Sequence, residues 1–270
     1  MQSYTVQNAG DWAKVGEHLA QIDSTNRELQ RRLAQRVLPE GYSLRADFQH
    51  DGRGRMGRTW EAAPGANLAV SFLLRNPGLS GSSIFLLSQN VALAVREVIE
   101  RFLATATRTI AVKWPNDIYI DDRKVAGILI ETSFQANRLS HAVIGIGINV
   151  NQLQFDQAPH ATSLALETGE NVDLQQVFEH LATSLQQRHY RLRRLCRTTG
   201  DLYALTSEYH THLRGLGHTA TYQLLRTEEL MSAKLVGVNN DGTLRLEHRG
   251  EERAFAMDEI KVLADDFLKR

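Results

Sequence analysis

Gly52-Arg53-Gly54-Arg55-Met56-Gly57-Arg58-Thr59-Trp60 is the stretch from which the rest of the chain is read. Three glycines and three arginines share seven positions, and a tryptophan follows shortly after. Glycine lets the backbone take positive φ and bring its N–H groups close to a ligand. Arginine supplies a planar, permanently charged fork that matches phosphate and carboxylate oxygens. Together they ask for an anion with several oxygens, either an ATP triphosphate or a nucleic-acid backbone. Composition separates the two. The 270 residues hold 31 Lys+Arg and 31 Asp+Glu, a formal charge of +0, whereas a general nucleic-acid binder shows a basic excess or a basic face. The arginines are not interleaved with several aromatics, which also speaks against a nucleic-acid groove.

Working outward, Leu19 and Ile22 suggest a short edge strand, and Asp23-Ser24-Thr25-Asn26 a helix start. Thr25 with Glu28 has capping-box spacing, and Leu29, Leu33 and Val37 share one helical face that ends at Pro39-Glu40-Gly41. Residues 43–49 form a strand running into the arginine loop. Residues 68–74 are almost all apolar, as in a strand covered on both faces. Ser82 or Ser83 opens a helix in which Leu87, Val91, Ala94, Val95, Val98 and Phe102 keep helical spacing. Strands follow at 109–112, at 118–120 and 125–130 around the turn Asp121-Asp122-Arg123-Lys124, and at 141–149. A long helix covers 174–195. Beyond Leu213-Arg214-Gly215-Leu216-Gly217 come short strands parted by Asn239-Asn240-Asp241-Gly242 and Arg249-Gly250, the spacing of a small β-barrel.

Hydrophobic residues make up 42% and charged residues 23%, so one large domain, or one plus a small one, can bury a real core. The single cysteine, Cys196, excludes an internal disulfide and fits a reducing, cytoplasmic setting. Arg193, Arg194 and Arg197 around it would lower a thiol pKa, but an unremarkable thiol near a helix end is the preferred reading. No apolar run reaches the ~18 residues of a membrane span, and Met1-Gln2-Ser3-Tyr4 lacks the pattern of a signal segment. No membrane partner is expected.

Three further motifs bear chemistry. In Lys113-Trp114-Pro115-Asn116-Asp117 the proline holds its neighbours in fixed directions. Asp117 suits Mg²⁺ or a ribose hydroxyl, and Asn116 suits phosphate or metal-bound water. Pro-Asn-Asp is equally ordinary turn chemistry. Lys124-Val125-Ala126-Gly127-Ile128-Leu129-Ile130-Glu131 sets a lysine beside a glycine inside a strand, where something must approach closely. A lysine there can meet a ligand carboxylate, or simply end a hairpin at the surface. Gly145-Ile146-Gly147-Ile148-Asn149 places two glycines on one strand face, leaving a flat strip for a planar ligand or for a tight helix crossing. No third glycine and no helix follow, which excludes a dinucleotide-binding fingerprint. His210-Thr211-His212 is no zinc site without further ligands, and hydrolase elbows and P-loops are missing.

These motifs occur in the order and approximate spacing of the biotin–protein ligases (biotin–[acetyl-CoA-carboxylase] ligases), and the chain resembles that family over roughly residues 20–265. The resemblance implies an α/β (α+β) fold: a class II aminoacyl-tRNA-synthetase-like catalytic domain over 1–214 and a small SH3-like β-barrel over 215–270. It implies a ligase that joins biotin to AMP with release of pyrophosphate, then passes it to a lysine of a biotin carboxyl-carrier domain. Biotin contacts are implied for Ser24, Thr25, Asn26, Gln49, Arg53, Gly54, Arg55, Lys124, Gly127 and Gly145. ATP contacts are implied for Arg55, Arg58, Trp60, Lys113, Asn116, Asp117 and Asn149, with Mg²⁺ at Asp117. Arg53, Arg55, Lys113 and Lys124 are the expected catalytic cations. Biotin's carboxylate is ionised at neutral pH and needs no general base, so charge neutralisation and alignment suffice. Met56 replaces a further arginine common in the family, and His50-Asp51 is more polar than usual. Only 23 residues precede Ser24, fewer than the roughly 60 of a compact helical DNA-reading module, so no operator binding is expected. A homodimer is compatible with the family. A lipoate ligase shares the fold, but the arginine loop and the Lys-Trp-Pro-Asn-Asp run favour biotin.

Overall fold

The computed structural model describes residues 11–75, 78–103, 107–136, 138–196 and 202–264. Met1-Gln2-Ser3-Tyr4 and Arg197 fall outside them. Strand β1 (Gly16–Ile22), helix α1 (Thr25–Gln35) and strand β2 (Ser43–Gln49) form a crossover unit in which the two strands run parallel. The remaining strands of this sheet pair antiparallel: β3 (Leu68–Arg75), β4 (Ile110–Lys113), β5 (Asp117–Ile120), β6 (Arg123–Gln135) and β7 (Arg138–Ile148). The order is β1-β2-β3-β7-β6-β5-β4, with β1 at an edge as its half-apolar sequence implies. Helices α2 (Phe85–Phe102), α3 (Leu164–Thr168), α4 (Leu174–Leu195) and α5 (Leu202–Thr211) complete this mixed α/β unit. A second sheet of five strands follows: β8 (Thr219–Leu224), β9 (Leu230–Val238), β10 (Leu244–His248), β11 (Glu251–Phe255) and β12 (Ile260–Ala264), in the order β11-β10-β9-β8-β12.

Period-two alternation explains why the large sheet has two working faces. On β3, Leu68, Val70, Phe72 and Leu74 enter the main core with α2 and α4, and Phe72 stacks on Phe178 of α4 with centroids 6.1 Å apart. Leu73 points the other way and joins Leu29, Leu38, Tyr42, Leu44 and Val143 beneath α1. On β7, Ile144, Ile146 and Ile148 enter the main core, while Val143, Gly145 and Gly147 share the α1 face. That face has little apolar cover beyond α1, and there the site forms.

The structure corrects three local expectations. Helix α1 stops at Gln35 because Arg36 turns extended and buries Leu38; Val37 is left 91% exposed. The cap before α2 is Ser80, whose capping box with Ser83 closes the short turn Gly81–Ser83 ahead of Phe85. The segment Gly81–Phe102 is long and apolar enough to cross a membrane by length and composition, against expectation, but 67% of its 18-residue apolar window is buried inside the protein, as befits a core helix.

Candidate active site

The site begins where α1 meets β2 and β3. Ser24 holds the N-cap position without a side-chain bond of its own. The orphan N–H of Thr25 is met instead by Gln49 Oε1 at 2.8 Å, and the Thr25 hydroxyl lies 3.0 Å from the same oxygen. The Thr25–Glu28 capping box therefore does not form, and Glu28 pairs with Arg31 and Arg32. Ser71 Oγ, fully buried on β3, lies 2.7 Å from Thr25 Oγ1 and 2.6 Å from Asn26 Oδ1. Its one proton serves one of them at a time. Asn26 Nδ2 donates to Glu131 Oε2 at 2.7 Å and to Leu129 O at 3.3 Å. The outcome is a buried set of donors and acceptors with fixed directions.

Next to this network the glycine strip is already covered by the chain itself. A Cβ on Gly145 would stand 2.4 Å from Asn26 Oδ1. One on Gly147 would stand 2.6 Å from Trp60 Cε2, and one on Gly127 would stand 2.9 Å from Trp60 Cζ3. The indole of Trp60 thus lies flat across β6 and β7, and its Nε1 is buried with no hydrogen-bond partner among the described residues. Lys124 Nζ sits 5.6 Å from the centre of the same ring.

The arginine loop closes on itself. Gly54 N donates to Arg58 O at 2.7 Å, Trp60 N donates to Gly52 O at 2.9 Å, and a single bridge joins Arg53 to Thr59. Arg53 is exposed and lies 3.4 Å from Asp51, which also holds Arg27. Arg55 is half-buried; burial pulls its guanidinium below the ordinary arginine value and the Asp117 carboxylate offsets part of that. At the far side, Lys113 lies over the ring of Tyr119, 5.0 Å from its centre. The peptide between Trp114 and Pro115 is cis. Asn116 Nδ2 donates to Ile128 O at 2.7 Å, which ties the turn to β6. Lys124 Nζ meets Asp117 Oδ1 at 2.7 Å. This contact is ionic rather than a directed hydrogen bond, since no donor addresses that buried oxygen in hydrogen-bonding geometry.

Most of these groups line one cavity of about 380 Å³; Ser71, Glu131 and Asp51 are not among its lining residues. It gathers Ser24, Thr25, Asn26, Gln49, Arg53, Gly54, Arg55, Arg58, Trp60, Lys113, Asn116, Asp117, Lys124, Gly127 and Gly145, which come from five separate sequence motifs. Asn149 alone among the expected site residues does not line it: its amide donates to Thr162 O at 2.9 Å, within the protein. Sequence reasoning missed Ser71 and the role of Glu131. It also missed the second sheet, which contributes Leu225, Met257, Ile260, Lys261 and Val262 to the wall. No local pattern marks these residues; only the docking of the two sheets brings them in. Trp114 Nε1 donates to Gly242 O at 3.0 Å and Val238 N donates to His210 Nε2 at 3.0 Å, which fixes that docking. Elsewhere, burial pushes the Cys196 thiol up, so the neighbouring arginines do not activate it. A second hollow near Glu167, Glu170 and Asp173 holds none of the expected residues. Glu167 there is paired with Arg108 and Arg123.

Comparison with known proteins agrees with this geometry. Residues 18–149 match the model of the biotin/lipoate A/B protein ligase family. The bifunctional ligase/repressor BirA of Bacillus spizizenii is 32% identical over 252 residues, 90% of this chain and 74% of that protein. The biotin–[acetyl-CoA-carboxylase] ligase of Mycobacterium tuberculosis is 34% identical over 156 residues, 58% of this chain and 57% of that one. Among solved structures, the biotin protein ligase of Aquifex aeolicus in complex with biotin and ATP superposes with a TM-score of 0.74 at 26% identity, covering 93% of this chain and 99% of the other. The chain belongs to the biotin/lipoate A/B protein ligase family and, within it, to the biotin–protein ligases.

Proposed function

We propose that the protein activates biotin with ATP and transfers it to a lysine of a biotin carboxyl-carrier domain. The observation that carries this reading is the charge of the cavity that gathers the expected site residues. Arg53, Arg55, Arg58, Lys113, Lys124 and Lys261 line it, and Asp117 is the one carboxylate among its lining residues. Such an excess of fixed cations suits a carboxylate and a polyphosphate brought face to face. A carboxylate oxygen of biotin attacks the α-phosphorus, an O–P bond forms, and pyrophosphate leaves. The carrier amine then attacks the acyl carbon, an amide forms, and AMP leaves.

In this reading the Gln49–Thr25–Ser71–Asn26 network receives the neutral, polar ring head of biotin, to which it offers both donors and acceptors. Lys124 meets the carboxylate, Arg53 and Arg55 cover the reacting groups, and Lys113 serves the phosphates. Trp60, lying on the glycine strip with an unpartnered N–H, offers a flat surface and one donor to the nucleotide. Asn116 and Asp117 serve the same side. Asp117, the one carboxylate lining the cavity and now paired with Lys124 at 2.7 Å, would hold Mg²⁺ once phosphate oxygens are present to share the ion. One carboxylate is a sufficient protein anchor for Mg²⁺, which keeps waters and phosphate oxygens as its other ligands. When bound, the ion supplies further charge neutralisation on the phosphates. The large sheet with its helices is read as a class II synthetase-like catalytic unit, and the five-stranded sheet as an SH3-like barrel.

The test is pyrophosphate release by the purified protein with ATP and either biotin or lipoate, with and without a biotin carboxyl-carrier domain. Release with biotin and mass gain on the carrier are expected. Release with lipoate alone, or with neither acid, overturns the assignment.

A further inference from the structure

The buried network at the start of α1 has two kinds of member. Hydroxyls adapt: Ser71 Oγ, 2.6 Å from Asn26 Oδ1 and 2.7 Å from Thr25 Oγ1, can give its proton to either or accept one itself. Two other groups cannot adapt. The Thr25 N–H only donates, and it meets Gln49 Oε1 at 2.8 Å, which fixes the direction of that amide. At the other end the Glu131 carboxylate only accepts, and it meets Asn26 Nδ2 at 2.7 Å. Leu129 O is a longer second acceptor at 3.3 Å. Turned over, the Asn26 amide would set Oδ1 against these two oxygens with no proton between them, whereas Ser71 tolerates either orientation. Glu131 therefore decides which way the amide faces. As held, Oδ1 stands over Gly145, 2.4 Å from where a Cβ would be, and both residues line the cavity. An amide oxygen accepts two hydrogen bonds, so Ser71 leaves room for one more. Glu131 itself pairs with Val143, two residues beyond the Leu129–Gly145 pair, and does not line the cavity. Among the described residues its side chain has no hydrogen-bond partner but Asn26 and makes no ion pair.

Resting on the function proposed above, we propose that Glu131 is a positioning residue for recognition of the acid: it locks the Asn26 amide with Oδ1 over Gly145, as an acceptor for a ring N–H of the cyclic urea in biotin. It acts through Asn26 and does not touch the substrate. Without it the amide populates both orientations, and in one of them Nδ2 confronts the ring N–H, donor against donor. The loss falls on the ring head of the acid. The proposed ATP contacts Lys113, Asn116 and Asp117 lie on β4, β5 and the turn between them, and keep their geometry.

Two variants of the full chain test it. Glu131→Met removes both acceptors and keeps an unbranched side chain; Glu131→Gln keeps one acceptor and removes the charge. Biotin binding is measured by calorimetry, ATP use by steady-state pyrophosphate release, and stability by thermal melts. The biotin dissociation constant is expected to rise about tenfold in Glu131→Met, the size of one unmet hydrogen-bonding group, and to stay within about threefold in Glu131→Gln. In both, the Michaelis constant for ATP should stay within about twofold and the melting temperature within about 2 °C. In an Asn26→Ala background, Glu131→Met should weaken biotin binding no further, because the group it acts through is gone. Unchanged or tighter biotin binding by Glu131→Met overturns the proposal. So does a Glu131→Gln variant as weak as Glu131→Met, or a full loss from Glu131→Met on top of Asn26→Ala. A lower melting temperature with both substrates weakened overturns it too, since Glu131 would then be supporting the fold. In each of these cases the wild type still binds biotin and the ligase reading stands; no biotin binding by the wild type removes both.

Discussion

Gly145 and Gly147 stand two residues apart on one face of β7, yet an added methyl should do different things at each. At Gly145 the new Cβ meets Asn26, which is 4% exposed and held by Ser71, Leu129 and Glu131. That neighbour has nowhere to go, so Gly145→Ala is expected to cost roughly 1–3 kcal/mol of stability, as overpacking does, and to weaken biotin binding at least tenfold. At Gly147 the neighbour is the ring of Trp60, half-buried on a loop. The ring can swing aside, so Gly147→Ala should leave the melting temperature within about 2 °C while changing tryptophan fluorescence and weakening ATP binding. Thermal melts and calorimetry on the two variants separate these outcomes, and equal destabilisation would mean that Trp60 is locked as firmly as Asn26. The shared face of the two glycines is readable from sequence, because side-chain direction alternates along any strand. Their occupants are not, because Asn26 and Trp60 arrive from distant segments that only the sheet order brings together.

Elements show the same division between what is local and what is imposed from outside. Strand β2 and helix α4 have the bounds read from their patterns, Ser43–Gln49 and Leu174–Leu195, because their own apolar spacing decides them. Helix α1 starts where its sequence indicates, at Ser24-Thr25, but its cap is completed by Gln49 rather than Glu28, and its C-terminal end is set by the burial of Leu38. Around α1 three carboxylates are pinned. Glu17 is pulled down to about 2, chiefly by the Tyr42 hydroxyl and then by Arg32. Asp23 is held well below its ordinary value by Arg31, and Glu28 is lowered by Arg32. Carboxylates with depressed folded-state values contribute stability that is complete above their unfolded values, about 4, and is lost as pH falls through the folded ones. Amide-exchange protection factors of α1 should therefore hold steady from neutral pH to about pH 4 and fall between about pH 4 and 2; a fall by pH 5 would place its anchoring elsewhere. The arginine loop is the opposite kind of element. Its backbone bonds run within the loop, and Arg53, Gly57, Arg58 and Thr59 are exposed. Trypsin should cut there in the ligand-free protein and be blocked by biotin with ATP, if the loop closes over the adenylate that the proposed reaction forms. Equal cutting rates in both states would show that the loop does not close.

At the scale of the whole molecule, the cavity belongs to both sheets. The tail could be recognised from its turn signals as a small β unit, but its share of the cavity could not, since Lys261 and Met257 sit in no motif and their place depends on how the sheets dock. The bond from Trp114 Nε1 to Gly242 O is a direct link between that docking and the chemistry, for Trp114 stands between Lys113 and the Pro115-Asn116-Asp117 turn. Gly242 is itself enclosed, its missing Cβ lying 2.9 Å from both Phe85 and Met257, so the acceptor is held in place from two sides. Trp114→Phe keeps most of the buried ring and removes the donor, which leaves a buried carbonyl unmet at a cost of about 1–3 kcal/mol. The core is continuous from Val91 through Tyr222 to Leu246, so the protein should stay folded, with a lower melting temperature. What should change is the alignment of Lys261 and Met257 with Lys113 across the cavity. The Michaelis constant for ATP is then expected to rise about tenfold while the affinity for biotin, whose proposed contacts lie on α1, β2, β6 and β7, stays within twofold, a difference of about 1.4 kcal/mol against less than 0.5 kcal/mol. Steady-state pyrophosphate release gives the first quantity and calorimetry the second. If both affinities fall together, the link acts on the fold as a whole; if neither moves, the second sheet is a wall that the nucleotide never touches.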